Sequence, residues 1–336
     1  MFSFIPNEYF LLAFGFILLI KGGDWFVDAA SGIAKRFHLP ELLIGATVVS
    51  IGTTLPEVMT SAMGAAAGSG AVAYGNAIGS IICNTSLIAA LTIAIKPGKA
   101  DKKSLVFPVC FFFGAAAFYA FNAYFFKKFD LWMGIVLLLG FVVYMIMNVI
   151  NMKKNPEEPT ELDSIEESDE GEAQGGLIKD IGVLIVSALV IAVGAYLLVE
   201  SATEIAHQLK VPETIISLTI VALGTSLPEL VTAITALMKG HGALSLGNII
   251  GANIFNLVLV SGAAISINPF AVPAEATFLG KNASLVFDLP LVFVVMGIMT
   301  IPTVFTGKLR RWQGVSLLAI YAAYCVLQFV VLPNFA

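Results

Sequence analysis

Gly52-Thr53-Thr54-Leu55-Pro56-Glu57 returns 172 residues later as Gly224-Thr225-Ser226-Leu227-Pro228-Glu229, and this recurrence decides how the chain is read. The same offset carries Pro40-Glu41 onto Pro212-Glu213, Gly75-Asn76 onto Gly247-Asn248, Gly79 onto Gly251 and Asn84 onto Asn256. Further out it pairs Asp28 with Glu200 and Ile33-Ala34 with Ile205-Ala206. A register held without a gap from Asp28 to Asn84 is an internal duplication. Each copy sets one carboxylate inside a strongly apolar run. Such a group at the centre of a membrane helix costs about 2.5–3.5 kcal/mol on insertion scales, so it is paired, protein-facing or functional.

The composition supports a membrane setting. The 336 residues are 58% apolar and 12% charged, against roughly 45–50% and roughly 25% in soluble domains. An ordinary soluble protein is excluded, and several stretches reach the about 20 residues needed to cross a hydrocarbon core. The net charge of −5 is local in origin: nine of the 23 acidic residues lie between Glu157 and Glu172. That run lacks an EF-hand pattern and reads as a solvated linker. Cys83, Cys110 and Cys325 have no CxxC spacing and read as packing residues, without a disulfide or a metal cluster. The first apolar run has no Lys or Arg before it and no evident cleavage site, so a retained span is expected rather than a signal peptide.

The apolar runs organise into ten spans, near residues 8–30, 43–66, 71–95, 104–126, 131–150, 180–203, 214–238, 243–266, 286–305 and 312–332. Residues 31–41 read as a short polar connection. The expected domains are an N-terminal five-helix half (1–150), an acidic linker (151–178) and a C-terminal five-helix half (179–336). With the N-terminus outside, the outer connections hold only Lys127, Lys128, Lys210 and Lys281. The inner ones hold the other connecting basic residues, from Lys35-Arg36 to Arg310-Arg311. This positive-inside bias places both termini outside, the linker in the cytoplasm and the protein in a cell inner membrane. An odd number of spans per half forces the second half to enter from the opposite side. The fold expected is an all-α membrane protein of ten transmembrane helices in two inverted five-helix repeats. Gly/Pro-interrupted helices at matching places then mark a secondary transporter's midplane site.

Pro56 and Pro228 lack an N–H and clash with the carbonyl four residues back, so both signature helices should be broken there. The breaks should bare carbonyl oxygens around Ser50 and Ala222. Thr53, Thr54 and Glu57 fall at i, i+1 and i+4, which lets hydroxyls and carboxylate converge; Thr225, Ser226 and Glu229 repeat the pattern. Asn76, Ser80 and Asn84 recur every four residues and share a helix face. In the second half Asn248 and Asn256 keep the spacing, but position 252 is alanine and the extra amide is Asn253. The donor set is oxygen only, the kind that Ca²⁺ takes six to eight at a time, and lacks the sulfur or imidazole of softer metals. Two carboxylates balance one divalent charge, or each can hold a monovalent cation or a proton. Asp24, Asp28 and Glu200 are expected at helix ends or a vestibule, and His38, His207 and His241 at the surface.

On the two G-T-[ST]-L-P-E signatures and the following G-N-x-x-G-[SA]-x-x-x-N motifs, the chain resembles the calcium/cation antiporter superfamily, in its prokaryotic sodium/calcium exchanger branch. The resemblance covers both repeats and, through span count and linker, nearly the whole chain. It implies four repeat helices around the ion sites and two long first helices that slide during alternating access. It also implies that Glu57 and Glu229 are central Ca²⁺ ligands that Na⁺ shares. Thr53 and Thr225 would contribute backbone and hydroxyl oxygens, with the Ser50 and Ala222 carbonyls nearby. Thr54, Ser226 and Ser80 would complete flanking Na⁺ sites, and Asn84 and Asn256 would line the centre. Many relatives have serine then asparagine where this chain has Ser80-Ile81 and Ala252-Asn253, so Ala252 removes a hydroxyl from one flanking Na⁺ site. Some have aspartate at the place of Asn256.

The expected function is therefore Ca²⁺/Na⁺ antiport by alternating access. A Ca²⁺/H⁺ or other cation/H⁺ antiporter of the same fold is the alternative, and a passive cation channel a more distant one. No Ser/His dyad or HExxH motif within the spans suggests an enzyme. The expected partners are the transported Ca²⁺ and Na⁺ and the lipid bilayer. No cofactor, nucleic acid or protein partner is indicated.

Overall fold

The structure is a computed structural model, and it describes residues 7–154, 177–209, 224–274, 277–278 and 280–328. Among these, eight helical segments are long and apolar enough to cross a membrane. They are spans 1 to 6 (Asn7–Arg36, Glu41–Ala66, Gly70–Ile95, Lys102–Phe126, Leu131–Asn151 and Leu177–Ala202) and spans 8 and 9 (Gly242–Ile267 and Ser284–Thr306). Leu227–Met238 and Arg311–Val326 stand at the places of spans 7 and 10. Residues 210–223, where span 7 was expected to begin, lie outside the described residues, as do 155–176 of the acidic linker.

Span 1 corrects one boundary. A polar connection was expected from residue 31, yet the helix continues to Arg36. Ser31, Ile33 and Ala34 are buried, so tertiary packing extends the helix past its apolar run. It ends where His38 adopts a left-handed φ of 49° and Pro40 follows. Span 6 is lengthened likewise: its helix runs Leu177–Gln208. These two long helices pack closely and antiparallel. Gly15 lies against Gly194 and Leu198, and Gly22 against Val190 and Ile191. Arg36 at the end of span 1 pairs with Asp180 at the start of span 6 at 3.0 Å.

The helix interruptions take a different form from the one expected at the first signature. Pro56 sits inside a continuous α-helix, Ser50–Ala66, and the irregularity lies just upstream as a π-helical turn, Gly45–Val49. The carbonyl that Pro56 leaves without its helical donor is that of Gly52, four residues back, rather than that of Ser50. At the second signature the chain does break: Thr225-Ser226 form a turn and the helix restarts at Leu227, with Pro228 in its first turn. Further π turns occupy Asn84–Ala89 in span 3, Asn256–Val260 in span 8 and Ser284–Asp288 in span 9. Such turns concentrate at functional sites in helices.

Small residues let the central helices approach. A Cβ at Gly247 would lie 2.0 Å from the Leu42 carbonyl oxygen, and one at Gly251 would lie 2.6 Å from the Ala46 Cα. Spans 2 and 8 therefore touch backbone to backbone, in the manner of small-residue packing in membranes. Outside this core, span 3 packs on span 10, span 4 on span 9, and span 5 on span 8. Two short antiparallel pairings tie connections at opposite ends of span 4. Lys128–Phe129 pairs with Phe270–Ala271, and Lys99 bridges to Lys308. The hairpin between spans 7 and 8 is also anchored. Lys239 Nζ reaches Asp28 Oδ1 at 2.7 Å and Asp24 Oδ1 at 3.4 Å. His241, expected at the surface, pairs instead with Glu41 at 2.6 Å and lies 3.3 Å from Ser31 Oγ.

Gly247→Ala should lower stability by about 1–3 kcal/mol, because the added methyl meets backbone that cannot rotate away. Thermal melting of the purified protein in detergent checks this, with Gly114→Ala as the control. Gly114 is exposed on span 4 with nothing within 4 Å of its added Cβ, so its melting temperature should hold or rise.

Candidate functional site

The first-signature helix, Ser50–Ala66, packs against the π turn that opens at Asn256. The second-signature helix, Leu227–Met238, packs against the one that opens at Asn84. The crossed arrangement brings the two copies of the motif together. Glu57 and Glu229 are both 0% exposed. They lie close enough for their charges to repel. Thr53 and Thr54 approach the Glu229 carboxylate from the other half, and neither makes a hydrogen bond of ordinary geometry to it. Cys83, next to Asn84, lies near Ser226 and Glu229.

Hydrogen bonding separates the residues of this cluster into two sets. Fourteen buried side-chain nitrogen and oxygen atoms among the described residues have no hydrogen-bond partner, and ten of them belong to Thr54, Glu57, Asn84, Ser226, Glu229 and Asn256. A buried polar group left unsatisfied costs about 1–3 kcal/mol, and a charged one more. Eight of the ten are oxygens, and drawn from two repeats they make a donor set for a desolvated cation, with carboxylate, hydroxyl and amide oxygens and no thiolate or imidazole ligand among them.

The second set buttresses the first. Asn248 Oδ1 accepts from Thr53 Oγ1 at 3.2 Å and from Ser50 Oγ at 3.3 Å, while its Nδ2 donates to Thr232 Oγ1 at 3.0 Å. The one Ser50 hydroxyl proton also has the carbonyls of Asn248, at 2.9 Å, and Gly45, at 2.8 Å, as acceptors within reach. In the other half Asn76 Nδ2 donates to the Glu57 carbonyl at 3.1 Å and to Ser61 Oγ at 2.8 Å. Asn76 and Asn248, which share the spacing of the central asparagines, thus hold the signature helices in place. The hydroxyl protons of Ser50 and Thr53 are thus directed at Asn248.

The remaining expected residues are placed as follows. Ser80 is buried on span 3, one turn before Asn84. Thr225 is half-buried in the turn that precedes Ser226. Ala222 lies outside the described residues. Asn253, the extra amide of the second motif, is fully buried and donates to Thr85 Oγ1 at 2.7 Å, with its Oδ1 unpartnered. The departure from the repeat at Ile81 and Asn253 was its signal.

A family model described as sodium/calcium exchanger protein matches residues 7–150 and 179–330. A sodium/calcium exchanger, MaX1, of Methanosarcina acetivorans is 31% identical, over 97% of this chain and 100% of that protein. An inner membrane protein of Escherichia coli, YrbG, is 34% identical over 77% of this chain and 79% of its own. Among solved structures, the sodium-calcium exchanger NCX_Mj soaked with Na⁺ and Sr²⁺ superposes with a TM-score of 0.78. It is 29% identical and covers 96% of this chain and 99% of that one.

Asn248→Leu should weaken Ca²⁺ binding by about 10-fold or more while both carboxylates remain, as loss of a ligand-orienting partner does at other metal sites. Calorimetric Ca²⁺ titration of the purified variant tests this, and unchanged affinity would show that the Ser50 and Thr53 bonds do not orient the site.

Proposed function

The chain belongs to the sodium/calcium exchanger protein family, and on that premise we propose a division of labour for its buried oxygen cluster. The protein is a multi-pass secondary active antiporter that exchanges Ca²⁺ for Na⁺ by alternating access, a transporter and not an enzyme. Glu57 and Glu229 act as the central ligands, used in turn by Ca²⁺ and Na⁺. The Thr53, Thr225, Ser50 and Ala222 carbonyls complete the coordination of the centre, which Asn84 and Asn256 line. Thr54, Ser226 and Ser80 supply hydroxyls to flanking Na⁺ positions. The observation that supports this assignment is the convergence of ten unpartnered polar atoms on six of these residues.

Charge explains why exchange is obligatory. Two bare carboxylates in a medium of low dielectric repel each other and resist transfer across a dry helix interface. One Ca²⁺ neutralises both, and Na⁺ ions taken in its place do so in turn. Only the loaded site then reorients. In this reading residues 1–150 and 179–336 are the two inverted halves and 151–178 is the acidic linker. Both termini face outside, the linker faces the cytoplasm, and the protein resides in an inner membrane. The antiparallel contact of spans 1 and 6 supports the inversion of the halves, and the positive-inside bias supports the side each end faces.

Glu57→Gln and Glu229→Gln should each reduce Ca²⁺ uptake into proteoliposomes under an outward Na⁺ gradient to the level of protein-free vesicles, with the elution profile unchanged. Undiminished uptake in both would overturn the assignment, and uptake driven by an outward H⁺ gradient alone would move the coupling from Na⁺ to the carboxylates' own protons.

Ala252, fully buried, stands where many relatives carry a hydroxyl. Ala252→Ser should lower the Na⁺ concentration that half-maximally drives Ca²⁺ uptake, and an unchanged Na⁺ dependence would place position 252 outside the Na⁺ sites.

A further inference from the structure

At one end of spans 3, 4, 9 and 10 the structure gathers seven exposed cations, Lys96, Lys99, Lys102, Lys103, Lys308, Arg310 and Arg311. They do not sit on a loose tail. The connection between spans 3 and 4 is bonded to the one between spans 9 and 10. Ala100 N donates to the Gly307 carbonyl at 3.1 Å, Leu309 N donates to the Gly98 carbonyl at 2.9 Å, and Lys99 and Lys308 are antiparallel bridge partners. Lys102 Nζ donates to the Phe305 carbonyl, and Arg311 reaches the Ile95 carbonyl at 3.4 Å. Backbone geometry therefore fixes the array and sets its like charges side by side.

None of the seven is within ion-pair distance of a carboxylate among the described residues. Asp101, the carboxylate within the array, has its Oδ2 committed to the Ser104 N–H and hydroxyl, at 2.8 and 2.7 Å. The array borders a cavity of about 310 Å³ lined by Lys96, Lys99 and Leu309 on one side and Ser245, Leu246 and Ile249 of span 8 on the other. Glu41 also lines it but is paired with His241. Large apolar side chains flank the cations at the same end of the bundle: Ile95 is 62% exposed, Phe305 75% and Trp312 50%.

A soluble anion would use the cations alone; a molecule with an anionic head and acyl chains would use both features. We propose that this array is a binding surface for anionic phospholipid, with the headgroup against Lys99 and Lys308 at the cavity mouth and the chains along Ile95, Phe305 and Trp312. Fixed basic clusters next to membrane spans recognise such headgroups. A positive-inside bias asks only for charge on the correct side, whereas these loops are cross-bonded into one surface. The proposal rests on the multi-pass placement and not on which ions are exchanged, so a failed transport assay would leave it standing.

The test is retention of phosphatidylglycerol against phosphatidylcholine by the full-length protein in neutral detergent, read by native mass spectrometry. Wild type should prefer phosphatidylglycerol, and Lys99→Gln with Lys308→Gln should lower that preference by about 10-fold, as removal of two charges from an anionic surface predicts. Lys127→Gln with Lys128→Gln, at the opposite end of span 4, should leave it unchanged. Equal retention of the two lipids by wild type, or an undiminished preference in the Lys99/Lys308 variant, overturns the proposal. If that variant does not fold, wild type decides: the preference must fall as choline chloride shortens the screening length, and a salt-independent preference overturns it. Complete displacement by inorganic phosphate would assign the array to a soluble anion. A preference seen only after the acidic residues between Glu157 and Glu172 are changed to glutamine would assign it to the chain's own linker.

Discussion

The structure depends on one electrostatic constraint: two carboxylates of like charge, Glu57 and Glu229, are held fully buried and close together without a basic partner among the described residues. An apolar bundle tolerates such a pair only if its environment supplies oxygens for a cation and holds those oxygens rigidly. The close backbone contact of spans 2 and 8, the π turns at Asn84 and Asn256 and the Asn76 and Asn248 buttresses all serve that requirement. The glycines permit the approach, the π turns sit where each span meets the opposite signature, and the buttresses fix the signature helices.

Duplication supplied this plan twice, but the two copies have diverged where the chemistry is most sensitive. The first signature is a continuous helix with a π turn before it; the second opens into a turn at Thr225-Ser226. Ser80 has a hydroxyl, and Ala252 at the matching position has none. Asn253 ties span 8 to Thr85 in the π turn of span 3, a bond that Ile81 cannot make in return. A symmetric pair of carboxylates thus sits in an asymmetric shell.

Much of this was legible from residues alone. The offset of 172 located both carboxylates, and the oxygen-only inventory identified the chemistry. Each of the six residues that hold the ten unpartnered atoms stood within the two motifs. What escaped was the use of each polar atom. Asn76, Asn84, Asn248 and Asn256 look alike in sequence, yet two are bonded as buttresses and two keep buried, unpartnered amides, because a four-residue spacing defines a helix face but not its neighbour. The expected break at Pro56 likewise became a π turn upstream, where packing against span 8 absorbs the distortion. His241 reads as a surface residue until the chain folds Glu41 against it.

The sequence by itself determined the class of protein, the duplication, the inverted orientation expected of five-span halves and the residue types of the site. Those follow from composition, hydrophobic run length and repeat register, which are properties of the chain taken one segment at a time. Only the tertiary structure decided which hydroxyls are committed to Asn248, which amides stay unpartnered, how far spans 1 and 6 extend, and that connections from the two halves join into one basic surface. These are matters of which groups meet across distances of well over a hundred residues. A hydrogen bond or a backbone contact has no energy until packing brings both partners within reach.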